Sequence, residues 1–124
     1  MKKIIVVTGG AGFVGSNLIE CLIKKTKLNI ICIDNYSSGN KKNHIKNKRI
    51  TYINSNTKKI ASVLNSNKYK INSIFHFGEF SRIYQSFLKT NECIDSNTVG
   101  TNKVINFCLS NDIKLIYSAT SASI

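Results

Sequence analysis

Lys3-Ile4-Ile5-Val6-Val7-Thr8-Gly9-Gly10-Ala11-Gly12-Phe13-Val14-Gly15-Ser16 is the stretch whose reading decides the fold. Lys3 to Thr8 is a short β-branched run closed by glycine, the pattern of a strand buried on both faces in a parallel sheet. Beyond the glycines, Phe13, Val14, Leu18, Ile19, Leu22 and Ile23 recur at helical spacing, and Lys24-Lys25 suit the negative end of that helix. The chain therefore opens as strand, glycine turn, helix.

The same alternation continues outward. Asn29 to Asp34 reads as a second apolar strand, followed by a polar loop through about residue 47, and Ile50 to Asn54 as a third strand. A helix is expected over about 58–65, a strand over 73–77, and a long helix over about 91–111 with Ile94, Val104, Ile105 and Cys108 on or near one face. A fifth strand is expected over 113–118. Strands alternating with helices predict βαβ units with right-handed crossovers. The fold class is thus α/β, a Rossmann-type parallel sheet with helices on both faces. No repeat and no Pro/Gly/Ser linker divides the chain, so residues 1–124 read as one domain.

The glycines fit a dinucleotide fingerprint in two ways, as Gly9-x-x-Gly12-x-x-Gly15 or as Gly10-x-Gly12-x-x-Gly15. In either, the first glycine turns the chain, Gly12 lets backbone approach a pyrophosphate, and Gly15 lets the helix pack close to the sheet, while the helix start supplies free N–H groups. Asp34 follows nineteen residues after Gly15 at the end of the second strand. An acid there accepts from ribose hydroxyls and repels a 2′-phosphate, favouring NAD over NADP. The structural alternative for Asp34 is a turn-forming Asp before Asn35, and Lys41 and Lys42 stand close enough in sequence to meet a 2′-phosphate.

These residues resemble the extended short-chain dehydrogenase/reductase family, specifically its NAD-dependent sugar epimerases and dehydratases. The resemblance lies in Thr8 to Ser16, in Asp34-Asn35-Tyr36-Ser37-Ser38-Gly39, in Ile74-Phe75-His76-Phe77-Gly78 and in Asn97-Thr98-Val99-Gly100-Thr101. It covers the whole chain but only the N-terminal part of the family's fold, so a truncated doubly wound sheet with strands in the order 3-2-1-4-5 is implied. It further implies pyrophosphate contacts from Gly9, Gly12, Phe13 and Val14, and adenosine-side contacts from Asp34, Asn35, Ser38 and Gly39. Phe77, Gly78 and Glu79 would line the cofactor trough, with Asn97 and Ser118 reaching it from the long helix and the fifth strand. Thr120 falls on the family's catalytic Ser/Thr, which hydrogen-bonds the sugar oxygen that loses its proton.

Three departures accompany the match. Where the family has Gly-Asp after the third strand, this chain has Ser55-Asn56, so Asn56 would meet the adenine through an amide. Glu79 stands where small residues are usual, and both a cofactor-facing and a solvent-facing carboxylate fit the sequence. The family's general base is a Tyr four residues before a Lys, and none of Tyr36, Tyr52, Tyr69, Tyr84 or Tyr117 has Lys four positions on. The expectation is the cofactor-binding front of a nucleotide-sugar enzyme, inactive by itself, with the substrate domain absent and a homodimer possible at full length.

Composition bounds the remaining readings. At 124 residues with 42% hydrophobic and 19% charged, the chain can build one core and has little room for a second domain. Eighteen Lys+Arg against six Asp+Glu give +12, and nine basic residues with no acid lie between Asn35 and Gly78. Nucleic-acid binding is the partner class that charge suggests, but no aromatic-interleaved basic motif accompanies it, and solvated faces of a Lys/Asn/Ile-rich chain account for it. Cys21, Cys32, Cys93 and Cys108 lack C-x-x-C spacing, so they read as reduced core residues of a cytoplasmic protein rather than a metal site. His44 and His76 have no second ligand at metal spacing, and Arg82 suits either a substrate phosphate or a solvated helix start. The apolar start breaks at Thr8-Gly9-Gly10, too early for a signal peptide, and no run approaches membrane-spanning length. Three function classes follow: the nucleotide-sugar enzyme portion, a non-catalytic dinucleotide-binding or regulatory module, and a basic nucleic-acid binder.

Overall fold

Ile and Val suit a pleated surface better than a helix, and their runs become the strands. In the computed structural model, which describes residues 3–36, 39–64, 70–77 and 99–117, β1 is Lys3–Thr8, β2 Asn29–Asp34, β3 Ile50–Asn54, β4 Lys70–His76 and β5 Lys114–Tyr117. They form one five-stranded sheet in the order β3-β2-β1-β4-β5. All four neighbouring pairs are parallel. The Rossmann-type fold expected from the sequence is therefore the fold observed. The chain builds outward from β1 through β2 to β3, then returns to the other side of β1 with β4. Ligands bind such sheets where the winding reverses, here between the carboxyl ends of β1 and β4.

Helices cover both faces. Alternate residues of a strand point to opposite sides, so Ile4, Val6, Ile31, Ile33 and Ile74 pack with Ile60, Leu64, Val104, Phe107 and Cys108 on one side. On the other, Ile5, Val7, Ile30 and Cys32 pack with Ile19, flanked by Leu18, Leu22 and Ile23. The second layer is α1 (Phe13–Lys25); the first combines α2 (Ile60–Val63) with α3 (Thr101–Asn111). Burial on both sides explains the unbroken apolar runs of β1 and β2, each fully buried side chain contributing roughly 1.5–3 kcal/mol.

Several elements depart from the sequence expectations. The helix expected over 58–65 is a 3₁₀ turn, Thr57–Lys59, followed by the single turn α2. β4 starts at Lys70, three residues early, because pairing with β1 carries its polar start along; the register shifts between Ile4 and Ile5, leaving Asn72 as the extra residue. β5 starts at Lys114, since the Ile113 N–H instead closes the end of α3 on the Cys108 carbonyl at 2.9 Å. Of the helix expected over 91–111, residues 91–98, with Ile94, lie outside the described residues. Its buried side is Thr101, Val104, Phe107 and Cys108, whereas Ile105 is exposed. Phe13 and Val14 are not core residues: they are 81% and 58% exposed at the start of α1, where the helix leaves the end of the sheet. Cys32 and Cys108 are buried, but Cys21 is exposed, and Cys93 lies outside the described residues.

One basic residue has a structural task that its charge alone did not announce. The Arg49 guanidinium donates to the carbonyls of Ile23 (2.6 Å), Thr26 (2.7 Å) and Leu28 (3.2 Å). It thereby satisfies the Ile23 and Thr26 oxygens that the end of α1 leaves without helical partners, reaches the Leu28 oxygen in the turn beyond, and places a cation at the negative end of the dipole.

Candidate functional site

The loop between β1 and α1 uses its glycines for different reasons. Gly9 has φ 73°, a left-handed conformation that favours glycine; its N–H donates to the Ile33 carbonyl at 2.8 Å, and its own carbonyl accepts from Gly12 N at 3.1 Å. A Cβ on Gly10 would stand 2.3 Å from Cys32 Sγ, and one on Gly15 would stand 2.2 Å from the Gly9 carbonyl oxygen. Those two glycines are demanded by packing.

Gly12 is not demanded by its backbone, and packing presses on it far less than on Gly10 or Gly15. Its φ of −81° and ψ of 176° are open to any residue, and among the described residues a Cβ there would meet a single atom within 4 Å beyond its chain neighbours, the Gly9 carbonyl oxygen at 3.3 Å. It leads into α1 without a side-chain cap, and the first turn holds no acid. The N–H groups of Phe13, Val14 and Gly15 consequently lack helical acceptors. A bare Cα beside unpaired donors at the positive end of a helix is a cradle shaped for an anion such as pyrophosphate.

Asp34 organises the flank of this cradle. It is 8% exposed; Oδ2 accepts from the Ala11 N–H at 3.0 Å and Oδ1 from the Tyr36 N–H at 2.7 Å. The turn-forming reading of Asp34 is thus realised, yet a carboxylate offers about four acceptor positions, which leaves capacity for hydroxyl donors. The Ala11 carbonyl accepts from Asn40 N at 3.0 Å and Asn43 Nδ2 at 2.8 Å, while Gly39 packs on Asp34 Oδ2 and Ala11. Loop, β2 end and residues 39–43 are therefore locked together.

An aromatic cluster supports the same turn. Tyr36 adopts φ 61°, uncommon for a bulky residue, and its hydroxyl lies 2.6 Å from His44 Nε2, whose ring stacks on Tyr52 at 3.8 Å. The Tyr52 hydroxyl accepts from Ile45 N at 2.9 Å. Burial pushes both phenols above their ordinary pKa, with the neighbouring Cys32 adding to the rise. Burial, with Asp34 nearby, pushes the Cys32 thiol up to about 12.

The structure brings Gly9, Gly12, Phe13, Val14, Asp34, Asn35, Gly39, Asn56 and Phe77 to the carboxyl ends of β1 to β4. Asn56 Oδ1 accepts from Lys58 N at 3.0 Å, so that oxygen already caps the Thr57–Lys59 turn. The Phe77 N–H donates to both the carbonyl and the hydroxyl of Thr8, each at 3.0 Å. Ser38, Gly78, Glu79, Arg82, Asn97, Ser118 and Thr120 lie outside the described residues. Sequence spacing did not single out Asn40, Asn43 or the Tyr36–His44–Tyr52 cluster; a short polar loop full of Asn and Lys carries no periodic signal. Among the described residues no group of three or more His, Cys, Asp or Glu could hold a metal ion, and no helix is long and apolar enough to cross a membrane.

Comparison with known proteins adds the family. Residues 5–124 match the model of the NAD dependent epimerase/dehydratase family. The UDP-N-acetylglucosamine 4-epimerase of Methanobrevibacter ruminantium M1, solved in complex with UDP-N-acetylmuramic acid, is 29% identical over 98% of this chain and 39% of its own, with a TM-score of 0.80. An epimerase of Methanothermobacter thermautotrophicus is 26% identical over 97% of this chain and 36% of its own, with a TM-score of 0.85. The enzyme WbmG of Bordetella bronchiseptica, in complex with NAD, is 24% identical over 92% of this chain and 36% of its own (TM-score 0.77), a likeness of fold. The chain spans between 36% and 39% of the length of these three structures.

Proposed function

Because this chain belongs to the NAD dependent epimerase/dehydratase family, we propose that it is the NAD-binding portion of an enzyme acting on a nucleotide sugar. The observation that carries this reading is Gly12, a glycine that its backbone angles do not require, that among the described residues leaves room for a side chain but for one contact, and that stands beside the uncapped start of α1. The N–H groups of Phe13 and Val14 hold the pyrophosphate there, and Asp34 accepts from the adenosine ribose with the acceptor positions that Ala11 and Tyr36 leave over. Asn35, Ser38, Gly39 and Asn56 border the adenosine side; Phe77, Gly78, Glu79, Asn97 and Ser118 border the trough. NAD, when bound, supplies a reversible hydride acceptor. The Thr120 hydroxyl orients the sugar oxygen that gives up its proton.

Within these 124 residues no tyrosine is followed by lysine four positions on, so the chain by itself carries no general base of the family's kind and is expected to be inactive alone. That same fact supports the second reading, a dinucleotide-binding module without catalysis. Turnover of UDP-sugars by the chain joined to a downstream Tyr-x-x-x-Lys segment separates the two, because only the first reading predicts it.

Calorimetric titration with NAD and NADP tests the cofactor site. We expect NAD to bind more tightly, and Asp34→Ala to weaken NAD by about 2 kcal/mol through lost charge-assisted bonds. That substitution also releases the Ala11 and Tyr36 N–H groups, so the diagnostic quantity is the NAD/NADP ratio. A ratio of one in the wild type, or a ratio that Asp34→Ala leaves unchanged, refutes the ribose role.

A further inference from the structure

His76 is fully buried at the carboxyl end of β4, in register with Thr8 at the end of β1. Its Nδ1 lies 2.6 Å from the Thr8 hydroxyl and its Nε2 lies 2.9 Å from the Thr101 hydroxyl on α3. The Tyr117 ring of β5 stacks against it at 5.8 Å. One imidazole thus ties together the ends of β1 and β4 and the first turn of α3. A neutral ring donates through one nitrogen and accepts at the other, which suits two hydroxyls that can each do either.

The place of this bridge gives it a consequence. Thr8 is the residue before Gly9, where the glycine loop begins, and the same hydroxyl accepts from Phe77 N, where the chain leaves β4. β1 and β4 flank the point where the sheet's winding reverses, so the bridge spans the floor of the ligand crevice.

We propose that His76 is a positioning residue for NAD, holding the two lips of the crevice at the spacing the pyrophosphate and nicotinamide half require. The proposal rests on the cofactor reading above. The adenosine half is held elsewhere, by Asp34 and the turn around it, so loss of the bridge acts on one half of the ligand only.

Thr8→Val keeps the volume and removes the hydroxyl; Thr8→Ser removes the methyl and keeps the hydroxyl. By titration calorimetry, Thr8→Val should weaken NAD about tenfold or more, since its hydroxyl serves both His76 and the Phe77 N–H, and leave AMP within about twofold of the wild type. Thr8→Ser should retain NAD affinity even though its melting temperature falls, because the lost methyl leaves a small void. A role confined to stability would instead make affinity follow melting temperature across the variants. Should Thr8→Val fail to fold, Thr101→Val breaks the bridge from the α3 side and carries the same expectation. Unchanged NAD affinity in a folded valine variant, equal weakening of NAD and AMP, or equal loss in Thr8→Ser overturns the proposal and leaves the cofactor reading standing. If neither valine variant folds, the bridge is a folding element and the proposal falls. A wild-type chain that does not bind NAD overturns the cofactor reading and this proposal together.

Discussion

Gly12→Ala should separate stability from binding. Among the described residues the added methyl meets only the Gly9 carbonyl oxygen, at 3.3 Å, in a backbone conformation that alanine adopts freely. Gly9 must give by a few tenths of an ångström, while the alanine restricts the unfolded chain and returns about 0.4–1 kcal/mol. Net stability should therefore stay within about 1 kcal/mol of the wild type. Binding should not. A pyrophosphate that reaches the N–H groups of Phe13 and Val14 must lie against the Gly12 Cα, and a methyl in that space costs about 1–3 kcal/mol of overlap or displacement. NAD affinity should fall about 5- to 150-fold, and further with Gly12→Val. Thermal melting and calorimetric titration on the same samples measure both quantities. Gly15→Ala is the contrasting control: its Cβ would lie 2.2 Å from the Gly9 carbonyl oxygen and 2.8 Å from the Gly10 Cα, both backbone atoms, so it should lose stability. A folded Gly12→Ala protein with wild-type NAD affinity would refute the reasoning, since the absent side chain would then serve no ligand.

Two further outcomes concern the scaffold. Arg49→Ala should destabilise the chain by about 1–3 kcal/mol by stranding the carbonyls of Ile23, Thr26 and Leu28. Arg49→Lys should recover only part, because an ammonium lacks the planar fork that reaches all three; a lysine variant as stable as the wild type in urea would contradict this. The Cys32 thiol, raised from its ordinary 9.0 to about 12, keeps its proton in the folded state while the unfolded chain ionises. The unfolded state then binds fewer protons, so stability is fully present below pH 9.0 and falls between pH 9.0 and about 12, at about 1.4 kcal/mol per pH unit. The stability difference between wild type and Cys32→Ala should shrink across that window as the wild type loses this contribution; a difference that does not vary with pH would count against a buried, protonated thiol.

The amino-acid sequence by itself determined which segments leave water and in what geometry. β1 and β2 have the bounds read from their apolar runs, because a strand buried on both faces must be apolar at every step, and the edge strand β3, with Thr51 and Asn54 exposed, has its expected bounds as well. The glycine turn before α1 was equally legible, since a left-handed Gly9 and a close-packed Gly15 exclude other residues. Periodicity failed where an element's end projects beyond its partner layer: Phe13 and Val14 continue the helical pattern of α1 yet face solvent, and Ile105 sits beside the buried face of α3 rather than on it. Only the tertiary structure decided what the polar side chains bond. Arg49 reaches α1 across more than twenty residues, Asp34 reaches Ala11, and His76 joins Thr8 to Thr101. A hydrogen bond needs a partner within about 3 Å, and which distant groups come that close follows from how the crossovers stack the layers, information that no local spacing in the chain contains.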